Sequence, residues 1–168
     1  MNLLIVDDEY LVVEEVVTVT DWELLGITEI YSATNAVSAV RILNEKKIDI
    51  MICDIEMPQT DGLELSKKAK ENFPDLEIVM LTSHAEFNYV RNALRYGCYD
   101  YLLKPVMEDD IIKVMKNLVT KIERERHQAQ LQEEGIVWNQ LKPVWKEKYW
   151  EEMLRGLRDD PNRECEEY

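Results

Sequence analysis

Basic residues are scarce in this chain: 20 Lys and Arg stand against 34 Asp and Glu, a formal net charge of -14. A surface of that sign repels phosphate backbones and anionic membranes alike, so residues 1–168 are not expected to bind DNA by themselves. Cysteine is also sparse. Three thiols cannot all pair internally, and Cys53 lies inside an apolar run, which points to a reducing, cytoplasmic setting. The first residues carry neither the basic stretch nor the small-residue cleavage site of a signal peptide. No apolar run approaches the roughly 20 residues that a membrane span needs. Internal repeats and low-complexity tracts are absent as well. What is present is a globular balance, 46% apolar and 32% charged, over a length of 168 residues. That suits one domain of ordinary size with about 40 to 50 residues left over, and it excludes disorder throughout.

Short apolar runs alternate with amphipathic ones up to about residue 120, the pattern of βαβ units around a parallel sheet. The runs are LLIV at 3–6, TEIYSA at 28–33, IDIMIC at 48–53, LEIVML at 76–81 and YDYLL at 99–103. Three of them are apolar nearly throughout, as befits central strands covered by helices on both faces. Helical spacing predicts helices near 10–20, 36–46, 62–72, 86–96 and 108–126. The second shows Ala36, Val37, Val40 and Leu43 after a capping Asn35, and Gly97 closes the fourth. The expected architecture is a doubly wound α/β fold, (βα)5, with strand order 2-1-3-4-5 and a C-terminal helical extension.

In such a sheet functional groups collect beyond the carboxyl ends of the strands. Asp7, Asp8 and Glu9 follow the first run, the third ends at Asp54, Thr82 and Ser83 follow the fourth, and Lys104 and Pro105 follow the fifth. Three carboxylates brought to one edge repel one another, and a divalent cation relieves the conflict. With no convergent His or Cys, oxygen ligation suits Mg²⁺ or Mn²⁺ and not Zn²⁺. Mg²⁺ keeps waters and partners phosphate oxygens, so the remaining groups fit phosphoryl transfer. Asp54 would attack phosphorus, and Lys104 with the Thr82 hydroxyl would hold the transferred oxygens. Each residue alone has a plain reading: a helix cap for Asp7 and Asp8, an N-cap for Thr82 and Ser83, a turn for Lys104 and Pro105. Their joint placement argues against coincidence.

The segments LLIVDDE, ICDIEMPQTDGLEL, VMLTSHAE and GCYDYLLKP together resemble the receiver domain of two-component response regulators, over residues 1–122. The resemblance implies that Asp54 accepts phosphate from a sensor histidine kinase. It implies that Asp8, Asp54 and the main-chain carbonyl of Glu56 ligate Mg²⁺, with Asp7 supporting the metal largely through water. Thr82 and Lys104 would bind the phosphoryl group, the Lys104–Pro105 peptide would be cis, and Met57, Pro58, Asp61 and Gly62 match the loop after the acceptor. Tyr101 matches the switch aromatic that turns inward as Thr82 moves, altering the surface of the fourth helix and fifth strand. Glu56 and His84 stand where the family varies and where hydrolysis of the acyl phosphate is tuned.

Beyond Glu123 the sequence ERERHQAQLQEE is polar on nearly every face, and His127 within it reads as solvent-exposed. Ile111, Met115, Leu118 and Ile122 have the spacing of a short coiled-coil seam, broken at Glu125, which offers a homodimer contact; the surface of the fourth helix, fifth strand and fifth helix offers another. Trp145, Tyr149, Trp150, Met153, Leu154 and Leu157 form an apolar stripe, and with Trp138 they read as packing or interface residues. Cys53 reads as a small core residue, while Cys98 and Cys165 have no motif around them. Residues 123–168 are similar to the linker of response regulators that end in an AraC-type DNA-binding domain, here missing, so DNA would be reached only through that domain. One alternative is a stand-alone receiver acting as a phosphorelay or adaptor module. A second is a phosphatase or mutase with an Asp nucleophile, but it predicts a DxDxT-like motif and a cap: Glu56 has the spacing, no threonine follows, and no residues remain for a cap. The chain is thus expected to be a signalling phosphoacceptor and not an enzyme.

Overall fold

The structure, a computed structural model, describes residues 1–58, 60–83 and 97–132. The chain divides into two units, Met1–Lys121 and Ile122–Tyr168. In the first, β1 (Asn2–Val6), β2 (Glu29–Ala33), β3 (Ile50–Asp54), β6 (Glu77–Thr82) and β7 (Asp100–Leu103) form a parallel sheet in the order β2-β1-β3-β6-β7. Among the strands of this sheet that is the doubly wound order 2-1-3-4-5. The three runs that are apolar throughout are its centre: β1 is buried from Leu3 to Val6, and every residue of β3 and β6 is buried. Burial on both faces is the reason these strands do not alternate.

Helices α1 (Tyr10–Thr18), α2 (Ala36–Glu45) and α3 (Gly62–Asn72) cover the sheet, and residues 108–121 are helical as well. Asn35 caps α2, its side chain accepting from the Ser38 amide at 2.9 Å. Asn35→Ala should therefore cost about 1 kcal/mol of stability, read as a lower urea midpoint at unchanged slope; an unchanged midpoint would remove the cap from the account. α1 ends at Thr18, two residues before the predicted end, where Trp22 folds back. Its indole N–H donates to the carbonyls of Val16 and Val17 at 3.2 and 3.0 Å, satisfying groups that the last turn leaves open.

Of the apolar residues at helical spacing in α2, Leu43 is buried together with small Ala39, whereas Val37 is 82% exposed and Val40 43%. Two expectations are corrected. Thr82 is the last residue of β6 and does not follow it. Ile111, Met115 and Leu118 are fully buried within the single chain, so these three are not free to form a coiled-coil seam with a partner. An unpredicted hairpin of two-residue strands, β4 (Glu56–Met57) and β5 (Thr60–Asp61), follows Asp54. Gly97 takes the left-handed φ of 80° that suits a cap. The helix expected over 86–96, His84, the three tryptophans of the tail, Cys165 and the apolar stripe of 145–157 lie outside the described residues. Residues 122–132 are helical, with His127 exposed. No helix among the described residues is long and apolar enough to cross a membrane.

Candidate phosphoacceptor site

The carboxyl ends of the central strands bring one group of side chains together. Asp7 and Asp8 stand one and two residues past β1, and Asp54 ends β3. A carboxylate oxygen from each of the three lies within 4.8 Å of the others. Asp7 is fully buried, Asp54 nearly so, and Asp8 is exposed. Lys104, one residue past the edge strand β7, reaches across so that its Nζ lies 2.6 Å from Asp7 Oδ2 and 3.1 Å from Asp54 Oδ2. Thr82 is carried alongside. It is buried, its neighbour Leu81 pairs with Asp54 across the sheet, and its carbonyl accepts from the Lys104 amide at 2.9 Å.

Electrostatics differ from one carboxylate to the next. Asp7 Oδ1 accepts from the Glu9 amide at 2.9 Å, which turns the chain into α1. Asp7 Oδ2 is buried, and its close partner is the Lys104 ammonium at 2.6 Å. Burial raises the Asp54 pKa above the ordinary carboxylate value. Lys104 opposes that rise, Asp7 adds to it, and the Glu56 amide, donating to the carboxylate, lowers it again. For Lys104, burial favours the neutral amine, but Asp7 and Asp54 outweigh burial and leave the pKa raised.

The donor set fits a hard divalent cation. One carboxylate oxygen is buried on Asp7 against the Lys104 ammonium, a second belongs to Asp54, which meets the same ammonium, and the third is open to solvent on Asp8. Cys53 neighbours Asp54 but is no ligand: its thiol donates to the Asp54 carbonyl at 3.3 Å, and burial pushes its pKa far up, so the soft thiolate is not formed. An all-oxygen set with room for water is the choice of Mg²⁺ or Mn²⁺.

Glu56 opens the short hairpin with an exposed side chain. Tyr101, in β7 beside Met80, is half-buried against the core, and the Lys104–Pro105 peptide is cis. The loop after Asp54 contains the residue whose importance the sequence did not show on physical grounds. A Cβ built on Gly62 would lie 1.8 Å from the carbonyl oxygen of Asp54, so only glycine fits there. Asp61 caps α3 by accepting from the Leu63 amide at 2.8 Å, and the Gly62 amide donates to the Ile55 carbonyl at 2.9 Å.

Residues 3–116 match the model of the response regulator receiver domain. The chain belongs to that family. Among curated relatives, an uncharacterized transcriptional regulatory protein, YesN of Bacillus subtilis (strain 168), is 34% identical over 124 residues, 74% of this chain and 34% of that protein. Response regulator SaeR of Staphylococcus aureus (strain USA300) is 32% identical over 127 residues, 76% of this chain and 54% of that one. This receiver chain thus spans between about a third and just over half of those relatives. Among solved structures, the REC domain of AraT, a response regulator from Geobacillus stearothermophilus, aligns with a TM-score of 0.70 at 30% identity, covering 74% of this chain and 97% of that one. The receiver family is a signalling family of two-component systems, and its members include transcriptional regulators.

Proposed function

We propose that Asp54 accepts one phosphoryl group from the phosphohistidine of a sensor histidine kinase, with Mg²⁺ held by Asp7, Asp8, Asp54 and the Glu56 main-chain carbonyl. The observation that carries this reading is the convergence of three carboxylate oxygens within 4.8 Å of one another, two of them, on Asp7 and Asp54, also against the Lys104 ammonium. In the transfer, an Asp54 oxygen bonds to phosphorus as the bond from phosphorus to the donor nitrogen breaks. The electron pair leaves with the imidazole, which takes a proton from solvent. The Asp54 carboxylate oxygen is the nucleophile, held at the end of β3. The Lys104 ammonium is already within reach of the oxygens that will carry new charge, so little reorganisation is needed. Asp7, Asp8, Asp54 and the Glu56 carbonyl would hold the cation, which when bound would supply positive charge to offset phosphoryl oxygens at an acidic pocket.

A phosphoryl group adds roughly 1.5 to 2 negative charges and three acceptor oxygens. We assign Thr82 and Lys104 as their ligands and Tyr101, whose ring is half-buried against the core, as the switch residue. The altered surface around β7 would then serve a homodimer, and the output would be transcription through an AraC-type DNA-binding domain outside residues 1–168, with residues 1–122 as receiver and 123–168 as linker. The name of the longer relative YesN, a transcriptional regulatory protein, supports a transcriptional output.

Incubation with acetyl phosphate and Mg²⁺ tests the core of this reading. Intact mass should increase by one phosphoryl group, the increase should vanish when the metal is chelated, and the phosphorylated form should sediment faster. An unchanged mass in Mg²⁺ counts against the acceptor; equal sedimentation of the two forms counts against the dimer alone.

A further inference from the structure

The inner face of α3 touches the acceptor residue from behind. Gly62 sits so close that the missing Cβ would lie 2.8 Å from the Asp54 carbonyl carbon and 3.1 Å from Ile55 Cα, as well as 1.8 Å from the carbonyl oxygen. One turn later Ser66 is fully buried, a placement that a hydroxyl seldom accepts without a partner. Its Oγ donates to Met80 Sδ at 3.2 Å. Met80 lies opposite Cys53 in the β3–β6 register, and the Cys53 thiol donates to the same Asp54 carbonyl that Gly62 covers. Ser66 also acts on that thiol as a hydrogen-bond partner. The contacts therefore join α3 to the residue before Asp54 on one strand and, on the other, to Met80, two residues before Thr82.

We propose that Gly62 and Ser66 are positioning residues for phosphoryl transfer, fixing the main chain of Asp54, and with it the direction of its carboxylate, from the first two turns of α3. The inference rests on Asp54 being the acceptor. Neither residue meets the phosphoryl group; both act through the peptide that follows the acceptor's Cα. A carboxylate that turns with its main chain by a fraction of an ångström to one ångström loses alignment for in-line attack, and misplacement of that size costs between roughly tenfold and a hundredfold in rate.

The test compares Gly62→Ala and Ser66→Ala with Leu43→Ala, a core variant in α2 that carries the stability loss without the contact. For each full-length chain three quantities are measured: phosphoryl uptake from acetyl phosphate at saturating Mg²⁺, Mg²⁺ affinity by calorimetry, and Tm. Gly62→Ala should slow uptake at least roughly tenfold and weaken Mg²⁺ binding. Ser66→Ala should slow uptake by about threefold with a smaller loss of Tm than Leu43→Ala, which keeps both uptake and affinity within about twofold. If Gly62→Ala does not fold, Ser66→Ala decides. Uptake and Mg²⁺ affinity that follow Tm alike in all variants overturn the proposal, since α3 would then be packing only. Should the parent bind Mg²⁺ yet take up no phosphoryl group, the acceptor reading fails by itself, and the affinity arm still reports whether α3 sets the Asp54 carboxylate.

Discussion

Asp54→Asn should leave the chain folded and unable to take up a phosphoryl group. The amide has the volume of the carboxylate and keeps an oxygen that can accept from the Glu56 amide, so the loop after β3 has no reason to rearrange. What it loses is the anionic oxygen proposed to attack phosphorus, a function that Asp7 and Asp8 should not supply: Asp7 is fully buried with one oxygen committed to the turn into α1, and Asp8 is exposed and away from Lys104's short contacts. Loss should therefore be complete. Stability should hold or rise, because the variant removes one of three crowded negative charges while Asp7 keeps Lys104. Intact mass after incubation with acetyl phosphate, beside a thermal melt in chelator, checks both halves. Uptake equal to that of the parent would move the acceptor elsewhere, and a collapsed melt would make Asp54 a structural residue first.

The carboxyl-edge residues were legible because a buried parallel strand reads as a short apolar run, and the first polar residues after it mark where the chain leaves the sheet. Asp7, Asp54 and Lys104 needed only that rule and the strand order to be brought together. That Lys104 meets both Asp7 and Asp54 was not legible, since it depends on how far the side chain reaches from the edge strand. Nor was the seat of Gly62 against the Asp54 carbonyl. Asp-Gly before a helical run signals a helix start, and it does not reveal that the glycine lies on the acceptor's own peptide.

The fold shows the same division. β1, β3 and β6 are long enough and apolar enough to be read directly, whereas β4 and β5 have two residues each, too few for any period. In α2, Ala36, Val37, Val40 and Leu43 satisfy helical spacing as well as the observed face does; the choice falls to Ala39, whose small side chain lets the helix approach the sheet. Ile111, Met115 and Leu118 illustrate the converse: a seam at spacings of four and three serves a chain's own core as readily as a partner helix.

Lys104→Met should cost about 3 kcal/mol of stability or more when Mg²⁺ is withheld, and Mg²⁺ should restore much of it. Methionine keeps the apolar stem and the volume, so the change isolates the ammonium. Its Nζ lies 2.6 Å from an oxygen of fully buried Asp7 and 3.1 Å from nearly buried Asp54, and the lysine side chain is only 13% exposed. Removing one partner of a buried ion pair leaves uncompensated charge and costs roughly 3–5 kcal/mol, far above the ~1 kcal/mol ceiling of a surface pair. Here two carboxylates are stranded together, with Asp8 adding a third charge nearby. A metal that binds only the folded chain adds stability in proportion to the logarithm of its saturation, so the gain in Tm on adding Mg²⁺ should be larger in the variant than in the parent. Thermal melts with chelator and with millimolar Mg²⁺ read the difference, on the order of 10 °C in chelator. Phosphoryl uptake by the variant should remain slow even in saturating Mg²⁺, because a cation would offset the lost charge at Asp7 but not the proposed contact of Lys104 with the transferred oxygens. Equal melts for parent and variant in chelator would show that solvent reaches the pocket and screens it; full uptake by the variant would leave Lys104 a structural counter-ion alone.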